Sequence, residues 1–254
     1  MLTGKVALIT GSSKGLGHAL AHAFAEAGAA VVLNARDEAA LEATRRELEA
    51  KGAQALAVRA DATQPDEIAR LVDAALSHFD RLDVLINNAG TLGPSPRPAM
   101  SDFAGADLAE IFRVNVIGPV RMTQAVLPHM RAHGGGSIVN VTSDAGQTGY
   151  PGWGGYGAAK AALELLTQSW AAELEGSGVR INAVNPGDLN TEMQQLANPG
   201  EDVSDRLDPF SVTSVFVWLA SDAAAEVTGK RFDAADFEPR DSANVGTQIH
   251  ADTR

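Results

Sequence analysis

Six short runs of consecutive apolar residues, each followed by a stretch with helical spacing, restrict this chain to few folds. The runs are Val6–Thr10, Ala30–Asn34, Ala55–Arg59, Val84–Asn87, Ser137–Thr142 and Val179–Asn185. They are continuous rather than alternating, as strands buried on both faces must be. The first intervening helix carries Leu16, Leu20, Ala23, Phe24 and Ala27 on one face and stops at Gly28. The second turns Leu41, Arg45 and Leu48 inward, and the third Ile68, Leu71, Val72, Ala75, Leu76 and Phe79. Longer helices are predicted around Leu108–Met130 and Tyr156–Leu174, and a short one at Val212–Ala220. Strand and helix in this alternation predict an α/β domain with a doubly wound parallel sheet covered by helices on both faces.

The bulk composition narrows the functions. The 254 residues are 45% hydrophobic, enough to fill one large core. A net charge of −12 argues against nucleic acid or an anionic membrane as partner. It leaves room for a phosphate-bearing cofactor held by a few placed cations. The absence of cysteine excludes disulfides, a thiol nucleophile and thiolate metal sites. The chain enters a strand pattern at Lys5 with no basic-then-apolar leader before it, and no apolar run is long enough to span a bilayer, so a cytoplasmic location is expected. Thr91–Pro98 and Asn198–Pro209 are loop-like. The domain is expected to occupy residues 1–235, with Asp236–Arg254 as a polar tail.

Between the first strand and first helix stands Thr10-Gly11-Ser12-Ser13-Lys14-Gly15-Leu16-Gly17. Gly11 permits a tight turn, Gly15 lets backbone approach a pyrophosphate, and Gly17 lets helix pack close on strand. The helix N-terminus adds free N–H groups and a positive dipole end. This is the dinucleotide cradle of a Rossmann-type domain. An NAD site carries an acid at the end of the second strand; here Asn34-Ala35-Arg36 leaves that place without one. Arg36 and Lys14 suit the 2′-phosphate of NADP. Asp37 is the rival: it can reach a 2′-hydroxyl, as in NAD(H) binding, or cap the second helix ahead of Glu38, and capping suits its place better. NADP(H) is therefore the preferred cofactor, with NAD(H) the alternative.

Tyr156 and Lys160 lie four apart at the start of a long helix, hence on one face. A free tyrosine has a pKa of about 10, and a neighbouring ammonium favours phenolate. Lowering the value by about three units requires about 4 kcal/mol. Such a tyrosine can donate a proton to a forming alkoxide or take one from an alcohol.

Together these segments resemble the short-chain dehydrogenase/reductase family, from about Val6 to about Phe232. The glycine segment matches its T-G-x-x-x-G-x-G, and Asn87-Asn88-Ala89-Gly90 its N-N-A-G. The resemblance implies a sheet of about seven strands and an enzyme that moves hydride between a nicotinamide and a carbonyl or secondary alcohol substrate. It implies Asn115, Ser143, Tyr156 and Lys160 as catalytic: Ser143 hydrogen-bonds the reacting oxygen, and Asn115 holds a water leading to Lys160. It implies cofactor contacts from Gly11, Ser13, Lys14, Gly15, Leu16, Gly17, Arg36, Asp61, Asn88, Gly90, Tyr156, Lys160, Leu189 and Thr191. Asp61 would meet the adenine amino group, Asn88 and Gly90 the adenosine ribose, and Leu189 and Thr191 the carboxamide, while Asn87 ties the sheet. It also implies a homodimer or homotetramer built through the two long helices, the second presenting Leu163, Leu166 and Trp170. Two rivals remain: a nucleotide-sensing regulator without turnover, and a scaffold that keeps only the fold.

The chain departs from the family after the sixth strand. Gln194–Pro209 is short and polar, and Asp233-Ala234-Ala235 replaces the usual Asp-Gly-Gly. Leu92, Trp153, Leu189 and Met193 outline a partly apolar pocket, fitting a mid-sized ketone, a 3-oxoacyl thioester or a ring alcohol. His18 and His22 have metal-ligand spacing, but helical angle sets them opposite Leu16, Leu20 and Phe24, toward solvent, and no third ligand suggests itself; no metal is expected.

Overall fold

The apolar runs become strands at nearly the boundaries their composition predicts. A computed structural model describes residues 1–238. Its strands are β1 (Val6–Thr10), β2 (Ala30–Ala35), β3 (Ala55–Arg59), β4 (Val84–Asn87), β5 (Gly136–Val141), β6 (Val179–Asn185) and β7 (Arg231–Asp233). They form one sheet in the order β3-β2-β1-β4-β5-β6-β7, with every pairing parallel. This is the Rossmann-type order, which reverses direction between β1 and β4.

Both faces of the sheet are buried, and alternate strand residues divide between them. Ala7 and Ile9 join Leu20, Phe24, Leu41 and Phe216 on one side, while Val6 and Leu8 join Leu71, Met122, Val126 and Ile181 on the other. The first layer is carried by α1 (Gly15–Glu26), α2 (Glu38–Ala50) and, further along the chain, α8 (Ser214–Ala220). The second is carried by α3 (Pro65–Phe79), α5 (Gly118–Ala132) and α6 (Gly154–Glu173). No helix among the described residues is long and apolar enough to cross a membrane.

Several expectations change. The helix expected at Leu108–Met130 is α4 (Gly105–Phe112), a π-helical turn (Arg113–Ile117) and α5. Asn115 is the reason: its amide donates to the Ile111 and Thr91 carbonyls at 3.0 and 2.8 Å, inserting a side chain into the ladder. On α2 the inward residue is Thr44, not Arg45; Arg45 lies between Glu42 and Glu49 as an ion pair with both. Leu163, expected at an oligomer interface, is 2% exposed and belongs to the molecule's own interior. After β6 comes a short helix, α7 (Glu192–Ala197), ahead of the loop-like Asn198–Pro209, from which Leu207 returns to bridge Leu189. The expected tail begins with packed residues, since Phe237 sits 5.3 Å from the Trp218 ring; residues 239–254 lie outside those described.

The histidine pair also differs from expectation. His22 is buried, and the outer face of α1 that carries it meets α2 rather than solvent. Glu47 Oε2 stands 2.8 Å from His18 Nε2 and 3.1 Å from His22 Nε2, so a third ligand group does exist.

Candidate active site

Because the strand order reverses between β1 and β4, a crevice opens beyond their C-terminal ends. It is a groove of about 980 Å³ lined by the glycine loop, the ends of β2 to β6 and the N-terminal part of α6. Gly11 has φ +66°, and a Cβ there would press on Asn88 and the Ala89 backbone at 3.0 Å. A Cβ on Gly17 would run into the Gly11 carbonyl. The loop is held from the β4 side: Asn88 Nδ2 donates to the Thr10 and Gly11 carbonyls at 2.9 and 3.1 Å, and the Asn88 and Ala89 N–H groups donate to Thr10 Oγ1. Asn88 thus braces the phosphate loop as well as lining the groove. Asn87 ties β4 to β5 by donating to Asn140 Oδ1 at 2.8 Å.

At the β2 end, Arg36 is exposed on the groove rim. Asp37 caps α2, accepting from the Ala40 N–H at 3.1 Å. Lys14, expected to help hold a 2′-phosphate, is ion-paired with Glu192, which also lines the groove. Asp61 accepts from the Thr63 N–H and hydroxyl at 2.9 and 2.7 Å. Burial works against its charge, but those bonds, with Arg113 and Arg36, hold its carboxyl below the usual range. Ser13, Gly15 and Leu16 line the same wall.

Opposite stands the Ser143, Tyr156, Lys160 and Asn115 group. Ser143 lies just past the end of β5, and α6 brings Tyr156 beside it; Lys160 Nζ lies 5.4 Å from the Tyr156 ring centre and donates to the Val141 carbonyl at 2.7 Å. Asn115 is fully buried, its Oδ1 accepting from the Thr91 N–H at 3.1 Å. Gly90 lies between the two: a Cβ there would sit 2.8 Å from Asn115 Oδ1 and 4.0 Å from Lys160 Nζ.

The electrostatics correct one expectation. In the free chain burial, and not the neighbouring Lys160, dominates the Tyr156 phenol. Burial pushes the phenol well above its ordinary value; Ser143 opposes this and Asp144 adds to it. Burial also pulls Lys160 down to about 8, with Glu164 working in the opposite sense. Both groups are driven toward their neutral forms by desolvation, so the phenol rests as a proton donor.

The remaining wall holds Leu92, Trp153, Leu189 and Met193, as the sequence outlined. Thr191 caps α7 and lies against Gly15, with its Cγ2 3.3 Å from where a Gly15 Cβ would be. Trp153 packs edge-on at 5.7 Å to Tyr156, and the Arg97 guanidinium lies 3.9 Å over the Trp153 ring. Three groups had no motif to announce them. Asp144 takes hydrogen bonds from Ser143 at 3.0 Å and Tyr150 at 2.9 Å. Glu164 accepts from Thr142 and Arg231 at 2.6 and 3.0 Å. Glu192 holds Lys14. The position of Asp144 beside Ser143, and of Glu164 one turn after Lys160, were the signals available.

The chain matches the family model of the short chain dehydrogenase over residues 5–202. It is 38% identical to the 3-oxoacyl-[acyl-carrier-protein] reductase of Synechocystis sp. over 91% of this chain and 96% of that one. Among solved structures, a 7α-hydroxysteroid dehydrogenase complexed with NADH and 7-oxo glycochenodeoxycholic acid superposes with TM-score 0.85 at 31% identity, covering 91% of this chain and 93% of the other. A short-chain dehydrogenase from Shigella flexneri complexed with NADP gives TM-score 0.86 at 31% identity, covering 92% and 98%. Sheet order, glycine loop and sequence agree, and the chain belongs to the short-chain dehydrogenase family of oxidoreductases.

Proposed function

We propose that the protein is an NADP(H)-dependent oxidoreductase that moves hydride between the nicotinamide and the carbonyl or secondary alcohol of a mid-sized substrate. The observation that carries this reading is the placing of Ser143, Tyr156, Lys160 and Asn115 in and under the same groove wall that faces the glycine loop. The loop fits a dinucleotide, because its Gly11 and Gly17 contacts leave no room for side chains. When bound, the cofactor supplies or accepts the hydride. Gly11, Ser13, Lys14, Gly15, Leu16 and Gly17 would hold its phosphates, Asp61, Asn88 and Gly90 its adenosine half, and Leu189 and Thr191 the carboxamide end. Lys160 would bind the second ribose.

The residues then divide the chemistry. Ser143 orients the substrate oxygen. Tyr156, held neutral by its burial, donates its proton to that oxygen as charge develops, or removes it in the reverse direction. Lys160 and Asn115 lead the proton onward. Leu92, Trp153 and Met193 exclude water from the apolar side of the substrate. The preference for NADP rests on Arg36 at the rim and on Asp37 being committed to the α2 cap. The same reading has two or four copies packing through α5 and α6, where Leu165 is 64% exposed.

Titration of NADPH and NADH separately, followed by energy transfer from tryptophan to the nicotinamide, tests the cofactor. NADPH should bind at least tenfold more tightly. Tighter NADH binding would reverse the choice, and binding of neither would remove the function while leaving the fold. Turnover of a ketone panel with NADPH, lost in Tyr156→Phe, tests the chemistry.

A further inference from the structure

Away from the groove, His18, His22 and Glu47 bring three metal-ligating atoms within 4.8 Å of one another. The two imidazoles are one turn apart on α1, and the carboxylate comes from α2. We propose that this trio is a zinc-class divalent cation site that ties α1 to α2, independent of the oxidoreductase reading.

The geometry is close to what a cation needs. Bonds of about 2.0–2.2 Å in a tetrahedron put ligand atoms about 3.3–3.6 Å apart. The two imidazole nitrogens now stand 2.8 and 3.1 Å from Glu47 Oε2, so those two edges need to open by a few tenths of an ångström, and all three ligand atoms already lie within 4.8 Å of one another. Two nitrogens and a carboxylate oxygen suit Zn²⁺, and leave a fourth position for water. The side chain of Glu47 is 52% exposed and that of His18 27%, which gives the ion a way in, while His22 anchors the inner side at 6%.

The surroundings support one face of the site and oppose at another. The half-exposed Phe210 ring lies 6.1 Å from the His18 ring and 6.0 Å from that of His22, an apolar neighbour on one side of the pair. Phe210 belongs to the 3₁₀ turn Pro209–Val212, just after Leu207 has bridged back to Leu189. Against it stands Lys51, whose Nζ is 3.3 Å from His22 Nδ1 and 3.2 Å from Glu26 Oε1. A metal on His22 Nε2 requires a proton on Nδ1, so the ammonium must swing wholly to Glu26. Lys51 therefore weakens the site by charge and by competition, and its removal should tighten it.

The test is calorimetric titration of Zn²⁺ into untagged, chelator-treated protein, with thermal unfolding in parallel. Wild type should bind about one equivalent with micromolar Kd, and hundred-fold excess over Kd should raise Tm by about 5 °C or more. His18→Ala and Glu47→Gln should each weaken binding at least tenfold and lose the thermal shift, and Lys51→Met should bind more tightly than wild type. His18→Ala removes the less buried imidazole, and circular dichroism confirms that each variant is folded. Absence of Zn²⁺ binding in wild type, or equal binding in wild type and both ligand variants, would overturn the proposal and leave the trio as a hydrogen-bonded staple between helices.

Discussion

A Cβ on Gly90 would lie 2.8 Å from Asn115 Oδ1, closer than real side chains approach. The same amide accepts from the Thr91 N–H at 3.1 Å and donates to the Thr91 carbonyl at 2.8 Å, so it cannot yield without releasing the loop after β4. Gly90→Ala should therefore move Asn115 or the loop rather than unfold the chain. A displacement approaching 1 Å in a positioning group costs up to about a hundredfold in rate. We expect kcat to fall about 10- to 100-fold in Gly90→Ala. Steady-state kinetics beside thermal unfolding checks this: a loss of activity matched by complete unfolding would show that the contact serves the fold alone.

Arg36 is exposed at the end of β2, whereas Asp37 spends its carboxylate on the Ala40 N–H. A charge-assisted hydrogen bond to phosphate contributes about 1.5–3 kcal/mol. Arg36→Ala should weaken NADPH binding about 10- to 100-fold and leave NADH within about threefold. Parallel titrations of both nucleotides read the difference, and an equal loss for both would mean that Arg36 meets no 2′-phosphate.

The sheet was legible because every strand buried on both faces writes itself as a continuous apolar run. The glycine loop and the Tyr156–Lys160 pair were legible because their spacing is set by local backbone. What escaped depended on contacts across the chain. The break at Arg113–Ile117 comes from the Asn115 side chain reaching Thr91 and Ile111, and no local propensity encodes it. His22 looked solvent-facing on a helical wheel because the wheel does not contain α2. The Lys14–Glu192 ion pair joins residues far apart along the chain, so no local pattern announces it. Tyr156 and Lys160 seemed a mutually charging pair, yet burial, a property of the whole fold, drives both toward neutrality.

Lys160 is 4% exposed, and burial lowers it from 10.5 to about 8. Between these values the unfolded chain holds the proton and the folded chain releases it, so stability gains from this group as pH rises through that window. Below about pH 8 the full cost of burying the ammonium remains, on the order of 3 kcal/mol. Lys160→Met should thus be inactive yet more stable than wild type at pH 7, by up to that amount. The advantage should shrink as pH rises toward 10.5. Urea unfolding of both proteins at pH 7 and pH 10 measures it, and a pH-independent difference would rule out the ammonium as the cause.

Asp144 sits between Ser143 and Tyr150, accepting from both, and its charge adds to the upward push on the Tyr156 phenol. In the proposed reaction proton donation uses the phenol and alcohol oxidation the phenolate, so Asp144 would favour the reductive direction at neutral pH. Asp144→Asn removes the charge and keeps one acceptor oxygen. The phenolate then forms at lower pH, and the rising limb of alcohol oxidation should move toward acid by a few tenths of a pH unit or more. At neutral pH the ratio of oxidation to reduction rates at saturating substrates should rise, while Ser143, losing one option for its hydroxyl proton, binds substrate more weakly and raises KM. pH–rate profiles in both directions distinguish these effects. A KM change with an unmoved limb would leave Asp144 as a hydrogen-bonding support for Ser143, with no electrostatic hold on Tyr156.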